Sequence, residues 1–151
     1  MKKILKSGFY LFLPLILGSL VGFVMSGSID YNELVKPMFS PPSWLFPVAW
    51  SIIYLLMGIS YYLLKKEYEE LRLESVIYYI QLAVNLLWSI IFFVLKLRLF
   101  AAVWIVLLDI LVIIMIYLFM KKKRISAYLN IPYLLWILFA TYLTFGIYLI
   151  N

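Results

Sequence analysis

The side chains that usually bind metals, attack carbonyls or shuttle protons are missing from this chain, which has no histidine and no cysteine among its 151 residues. Zinc and transition-metal sites, thiolate nucleophiles, a histidine base and a His- or Cys-ligated haem are therefore excluded, as are disulfides. No metal site is expected. What remains for chemistry is aromatic and amide. Trp50, Tyr54, Met57 and Tyr61 recur at i, i+4, i+7 and i+11, which places them on one helix face. Gln81, Asn85 and Trp88 share a second face, and Pro132, Trp136, Ala140 and Leu143 a third. Aromatic faces beside a few oriented polar groups suit a flat, largely apolar ligand. No pair of residues forms a recognisable acid–base or nucleophile site.

The elements that must position these faces are membrane helices. Hydrophobic residues make up 67% of the chain, charged residues 13%, and the mean hydropathy is +1.07, outside the range of a soluble domain. Against a need for roughly 20 apolar residues per crossing, the sequence predicts spans near Phe9–Ser26, Ser43–Leu64, Ser75–Leu95, Leu99–Met120 and Ala127–Ile150. The runs are continuous, not alternating, so helices are favoured over barrel strands. The expected fold is an all-α, five-transmembrane-helix bundle forming a single domain over residues 1–151. Amides are costly toward lipid, so Gln81 and Asn85 must look inward. Asp109, near the middle of the fourth span with no cation at its depth, is expected to be protonated or hydrogen-bonded to a neighbouring helix. Gly18 and Gly22 fit the G-x-x-x-G spacing of close helix approach, with packing inside the protomer favoured over a dimer seam.

The cations give orientation. Ten of them, Lys2, Lys3, Lys6, Lys65, Lys66, Arg72, Lys121, Lys122, Lys123 and Arg124, fall on one side of the five-span arrangement. Lys36, Lys96 and Arg98 fall on the other. The positive-inside rule then puts the N-terminus in the cytoplasm and the C-terminus outside. These cations sit at helix ends, where they meet anionic lipid headgroups, so the net charge of +6 does not point to nucleic acid. The basic start and apolar run ending at Met25-Ser26-Gly27 resemble a secretion signal, but the run is long for one and Pro14, Gly18 and Gly22 read as packing features. The helix is expected to be retained. The pattern favours a bacterial cytoplasmic membrane, with the mitochondrial outer membrane as the alternative.

One connection is long. Residues 27–42 carry Pro37, Pro41 and Pro42, with Pro42 suited to opening the second helix. A stiffened loop of this length, where the other turns are short, is expected to be a lid over a site. Here the sequence resembles a known family. Asp30-Tyr31-Asn32-Glu33-Leu34-Val35-Lys36-Pro37, Met38-Phe39-Ser40-Pro41-Pro42-Ser43-Trp44, and then Trp50 and Tyr54 are similar to the tryptophan-rich sensory protein and translocator protein family, TspO/MBR. Gln81 to Trp88 with Phe92-Phe93, and Pro132 to Trp136 with Phe139 to Leu143, resemble its third and fifth helices, and Pro14, Gly18 and Gly22 its first.

The resemblance implies a five-helix bundle, usually a homodimer, whose internal pocket is closed by the loop between its first two helices. It implies a porphyrin ligand, protoporphyrin IX or haem, with no cofactor required and membrane lipid as surroundings. The implied roles are tetrapyrrole transport, sensing or stress response, with light-dependent porphyrin degradation or a regulatory membrane subunit as alternatives. By match to the family, the ligand-binding residues are Trp50, Tyr54, Asn85, Trp88, Trp136, Phe139, Ala140, Leu143, Gly22 and Phe23, and the lid residues are Tyr31, Lys36, Pro37, Pro41 and Pro42. Trp44, near a helix end, reads instead as an interfacial anchor.

The chain departs from the family pattern in several places. Asp30 and Phe39 replace two loop tryptophans, and the usual proline before the second helix's tryptophan stands one residue early, at Pro47. Phe23 replaces a residue that is small in animal members and is expected to narrow the pocket. Phe145 and Leu149 stand where the animal cholesterol-recognition stretch needs tyrosine and arginine, so a sterol is the weakest of the expected partners. Counted without gaps from Phe93, the family's acid position in the fourth helix falls on Trp104, so no role passes to Asp109.

Overall fold

In hydrocarbon a segment must satisfy its own backbone hydrogen bonds, and this sequence does so with helices throughout. The computed structural model describes residues 1–151 apart from the side chain of Ile4. Its helices are α1 Lys2–Val24, α2 Leu45–Glu67, α3 Arg72–Ser89, α4 Arg98–Lys122, α5 Arg124–Tyr128 and α6 Ile131–Ile150. A π-helical turn, Ile90–Val94, continues α3, and two short 3-10 turns, Ser26–Ser28 and Tyr31–Glu33, lie in the long loop. Five segments are long and apolar enough to cross a membrane, the fifth being α5 and α6 together.

The helices close into a ring. α1 packs along α2, α2 meets α5 and α6, α6 packs on α4, α4 on α3, and α3 returns to α1. The seam between α1 and α2 is tight because Gly58 is buried directly against the backbone of Leu11. Further along it Gly18 lies under the ring of Tyr54, so this glycine packs inside the protomer as its spacing predicts. Gly22 has open space beside it. Most of α1 is left facing outward.

Three boundaries differ from the sequence reading. α1 begins at Lys2, so its three lysines ride on the helix, their long stems letting the charges reach the headgroups. Pro42 lies ahead of α2, in a turn where the Leu45 amide donates to the Pro42 carbonyl at 3.1 Å. The proline inside the first turn is Pro47, tolerated because first-turn amides have no partner within the helix. The last span is broken at Leu129–Asn130, just before Pro132. Pro132 lacks the amide that would continue a helix, and the buried Asn130 side chain donates to Ser60 Oγ at 2.7 Å and Ser126 O at 3.0 Å, pinning the break against α2.

Inside the ring runs a chain of polar groups. Tyr54 Oη donates to Asn85 Oδ1 at 2.6 Å, Asn85 Nδ2 donates to Tyr133 Oη at 2.9 Å, and Tyr133 Oη donates to Gln81 Oε1 at 2.8 Å. Gln81 Nε2 then reaches Met57 Sδ at 3.4 Å. Both amides are fully buried, so the stripe on α3 does turn away from lipid. Asp109 also finds a neighbour: the Thr141 hydroxyl of α6 lies 2.7 Å from its Oδ2.

Candidate functional site

A cavity of about 620 Å³ opens between α1, the long loop, the start of α2 and the end of α3. Its aromatic wall comes from α2 and α3. Phe46, Trp50 and Tyr54 follow one another at four-residue intervals on α2, and the Trp50 and Tyr54 rings stack with centroids 5.4 Å apart at 26°. Trp88 and Phe93 face them from α3 and its π-turn. α1 contributes Leu15, Gly18, Ser19, Val21 and Gly22, and Met25 follows at its end. The loop covers one end with Ile29, Tyr31 and Asn32. Among the described residues no Lys, Arg, Asp or Glu stands on the wall; its polarity comes from serine hydroxyls, Asn32 and the Tyr54 phenol.

The site residues read from sequence are distributed as follows. Gly22, Tyr31, Trp50, Tyr54 and Trp88 lie on the cavity wall. Asn85 is behind it, holding the Tyr54 hydroxyl. Trp136 is a step removed, edge-on to Trp50 at 6.4 Å and to Phe46 at 5.8 Å, with Phe139 beside it at 6.0 Å. Ala140 and Leu143 border a separate space of only about 20 Å³, which Tyr31, Phe46, Trp88 and Phe93 divide from the main cavity. Phe23 is 81% exposed and points away, so it does not narrow the cavity as its size predicts. Trp44 is likewise exposed at the start of α2. Of the face read on the last helix, Pro132 is exposed while Ala140 and Leu143 are buried.

The remaining lid residues fasten the loop. Lys36 Nζ donates to the carbonyls of Tyr31 at 3.1 Å and Leu34 at 3.3 Å and sits 4.8 Å above the Tyr31 ring. Tyr31 Oη donates to the Pro41 carbonyl at 2.8 Å, Pro37 packs against Gly146 of α6, and Pro42 is exposed.

Several wall residues escape the sequence reading. Phe46 was accessible to it, being one turn before Trp50 on the same face. Phe93 was not. It is five residues after Trp88 and comes to the same wall only because the π-turn intervenes, with Leu95 N donating to Ile90 O at 3.0 Å. That turn has a second effect. The Leu97 amide closes onto Ile91 O at 3.2 Å, one residue earlier than the usual helix-ending bond, leaving the Phe92 carbonyl free. Arg98 takes it: Nη1 donates to Phe92 O at 2.9 Å, while the guanidinium lies 4.3 Å over the Phe92 ring. Arg98 Nη2 also bonds Asp30 Oδ2 of the loop at 2.7 Å, and Lys96 Nζ stands 3.6 Å from the same oxygen. Burial lifts the Asp30 carboxyl, but the Arg98 hydrogen bond and the Arg98 and Lys96 charges outweigh it and hold the group below the ordinary carboxylate value.

Comparison with known proteins bears on this architecture. The sequence model of the TspO/MBR family matches residues 10–149. The tryptophan-rich protein TspO of Archaeoglobus fulgidus is 42% identical over 124 residues, covering 80% of this chain and 79% of that one. The tryptophan-rich sensory protein of Cereibacter sphaeroides is 32% identical, covering 76% and 72%, and the translocator protein of Sus scrofa 30%, covering 86% and 83%. Likeness on this scale takes in every span of the ring and the loop over the cavity, and the chain belongs to the TspO/MBR family of integral membrane proteins.

Proposed function

We propose that this membrane protein binds porphyrins and similar planar hydrophobic molecules in the cavity between α1, α2 and α3, and serves their sensing or transport. The observation that carries this reading is the aromatic wall itself: Trp50 stacked on Tyr54, together with Trp88, lines a space of about 620 Å³, within the range of small-molecule sites. An uncharged wall accepts a ring system without stranding a buried charge. A porphyrin's carboxylates would lie toward Ser26 and Asn32, exposed polar residues of the lining. The names of the relatives, sensory protein and translocator protein, support a membrane role of this kind. Assembly as a homodimer in a bacterial cytoplasmic membrane, with the N-terminus inside, completes the proposal.

The test is a titration of the purified protein with protoporphyrin IX, followed by quenching of tryptophan emission. Replacing Trp50 or Trp88 by Ala should weaken binding by about 1–3 kcal/mol, as expected for loss of an aromatic stacking platform. Replacing Lys122, exposed at the end of α4, should change little. Equal losses at all three positions would mean partition into the detergent and would end this reading.

A further inference from the structure

The loop over the cavity is fastened in two unlike ways. Its second half is tied to α6 by uncharged contacts: Tyr142 Oη donates to Met38 O at 2.7 Å, the Asn151 amide exchanges two hydrogen bonds with the Val35 backbone at 2.7 and 3.1 Å, and Pro37 fills the space beside Gly146. The first half, which supplies Ile29, Tyr31 and Asn32 to the cavity wall, makes no hydrogen bond to α6 among the described residues, and of these three Tyr31 comes beside that helix, near Ala140 and Leu143. Tyr31 holds this half to the second through Lys36 and the Pro41 carbonyl and packs its buried ring on Phe46, and the ion pair from this half to the helices beyond is Asp30 on Arg98, with Lys96 alongside.

That pair is asymmetric. Arg98 is held independently by the Phe92 carbonyl and the Phe92 ring, so it stays in place whether or not Asp30 is present. Asp30 is less well satisfied, because its Oδ1 is buried with no hydrogen-bond partner. A carboxylate that accepts on one oxygen and strands the other regains hydration when it lets go, which offsets part of the lost ion pair.

We propose that Asp30 and Arg98 form the catch of the lid, and that release of Asp30 from the fixed Arg98 sets the rate at which the cavity exchanges its occupant. Arg98 is a positioning residue in this scheme, touching the lid and, at Phe92, the π-turn next to the wall residue Phe93, but not the ligand. The half of the loop tied to α6 remains seated while the half bearing Ile29, Tyr31 and Asn32 swings away, a movement that also parts Tyr31 from the Pro41 carbonyl and from Lys36 once Asp30 has let go.

Because the chain has no cysteine, a single one introduced at Ser89, on the α3 wall of the cavity, reports opening without any ligand. In mild detergent, modification of Ser89→Cys by a charged methanethiosulfonate should run tenfold or more faster when Asp30→Asn is added. Asp30→Glu should stay within about threefold of the parent. A role in shape alone predicts the reverse order, since Asn is the closer isostere. Tyr142→Phe, on the half tied to α6, should leave the rate unchanged. Equal rates for Asp30→Asn and its parent, or for the Asn and Glu variants, would overturn the proposal. A second arm rests on the porphyrin reading: dissociation of bound protoporphyrin IX should accelerate by the same factor in Asp30→Asn, with its Kd changed less than threefold. Faster labelling without faster release would refute control of exchange. Failure of every variant to bind porphyrin would sink the ligand reading while the labelling still decides the catch.

Discussion

Gly58→Ala tests whether the ring is closed where the structure closes it. A Cβ built on Gly58 meets the Leu11 carbonyl oxygen at 1.8 Å and its carbon at 2.7 Å. Both are main-chain atoms of α1, so no side chain can swing aside. Restoring even a tight contact of 3.4 Å requires α1 and α2 to part by about 1.6 Å, enough to forfeit most of the dispersion attraction along the local seam. Overpacking of this kind costs typically 1–3 kcal/mol and here belongs at the upper end. The better helix propensity of Ala returns about 1 kcal/mol, so a net loss of about 2 kcal/mol is expected. The control is Gly22→Ala, on the same helix pair, where a new Cβ meets nothing within 4 Å and only the propensity gain applies. Unfolding in mixed micelles of rising SDS content, followed by circular dichroism, gives both numbers. A Gly58→Ala protein as stable as its parent, or a Gly22→Ala protein equally damaged, would refute the packing of α1 described here.

Orientation can be read with reporters active only in the cytoplasm: one fused ahead of Met1 should work and one fused after Asn151 should fail, and the opposite result would overturn the charge-based topology. Metal-free protoporphyrin should bind at least as tightly as haem, since Met25, Tyr31 and Tyr54 are the wall residues able to ligate iron and the two hydroxyls are already committed, Tyr31 to Pro41 and Tyr54 to Asn85; a tenfold preference for haem with a six-coordinate low-spin spectrum would point to Met25 and reject this. The catch also makes a prediction in pH. Asp30 is held below 3.8 by Arg98 and Lys96, which among the described residues are the charged side chains in ion-pair contact with it, so its contribution is present above 3.8 and lost as the pH falls through the lower folded value. The difference in melting temperature between the parent and Asp30→Asn should therefore hold constant from about pH 8 to 5 and close only in stronger acid; closure already near pH 6 would contradict it.

Hydropathy carries the five spans because lipid imposes one rule on every segment, and periodicity carries the inward faces because an amide such as Asn85 has nowhere else to turn. Neither says which neighbour a face will meet. Trp50 and Trp136 read equally well as ligand contacts, yet α2 presents Trp50 to the cavity while Trp136 on α6 backs it edge-on. The partition of Ala140 and Leu143 into a second small space depends on how Phe46 and Phe93 pack, and Phe93 depends on a π-turn that leaves no trace in residue spacing. Arg98 and Asp30 were legible only as a topological cation and a substituted tryptophan. Their meeting across 68 residues is a product of the ring and not of any local pattern.

The bond between Val35 and Asn151 joins residues 116 positions apart. The lid joins α1 to α2, yet its seat on α6 cannot be finished until synthesis has passed Asn151. Until that stretch is made, the aromatic wall of α2 and α3 stands without this seat for its lid. A hydrophobic molecule already in the bilayer can meet that wall before the lid is seated, so the first occupant of the cavity need not have passed the catch at all.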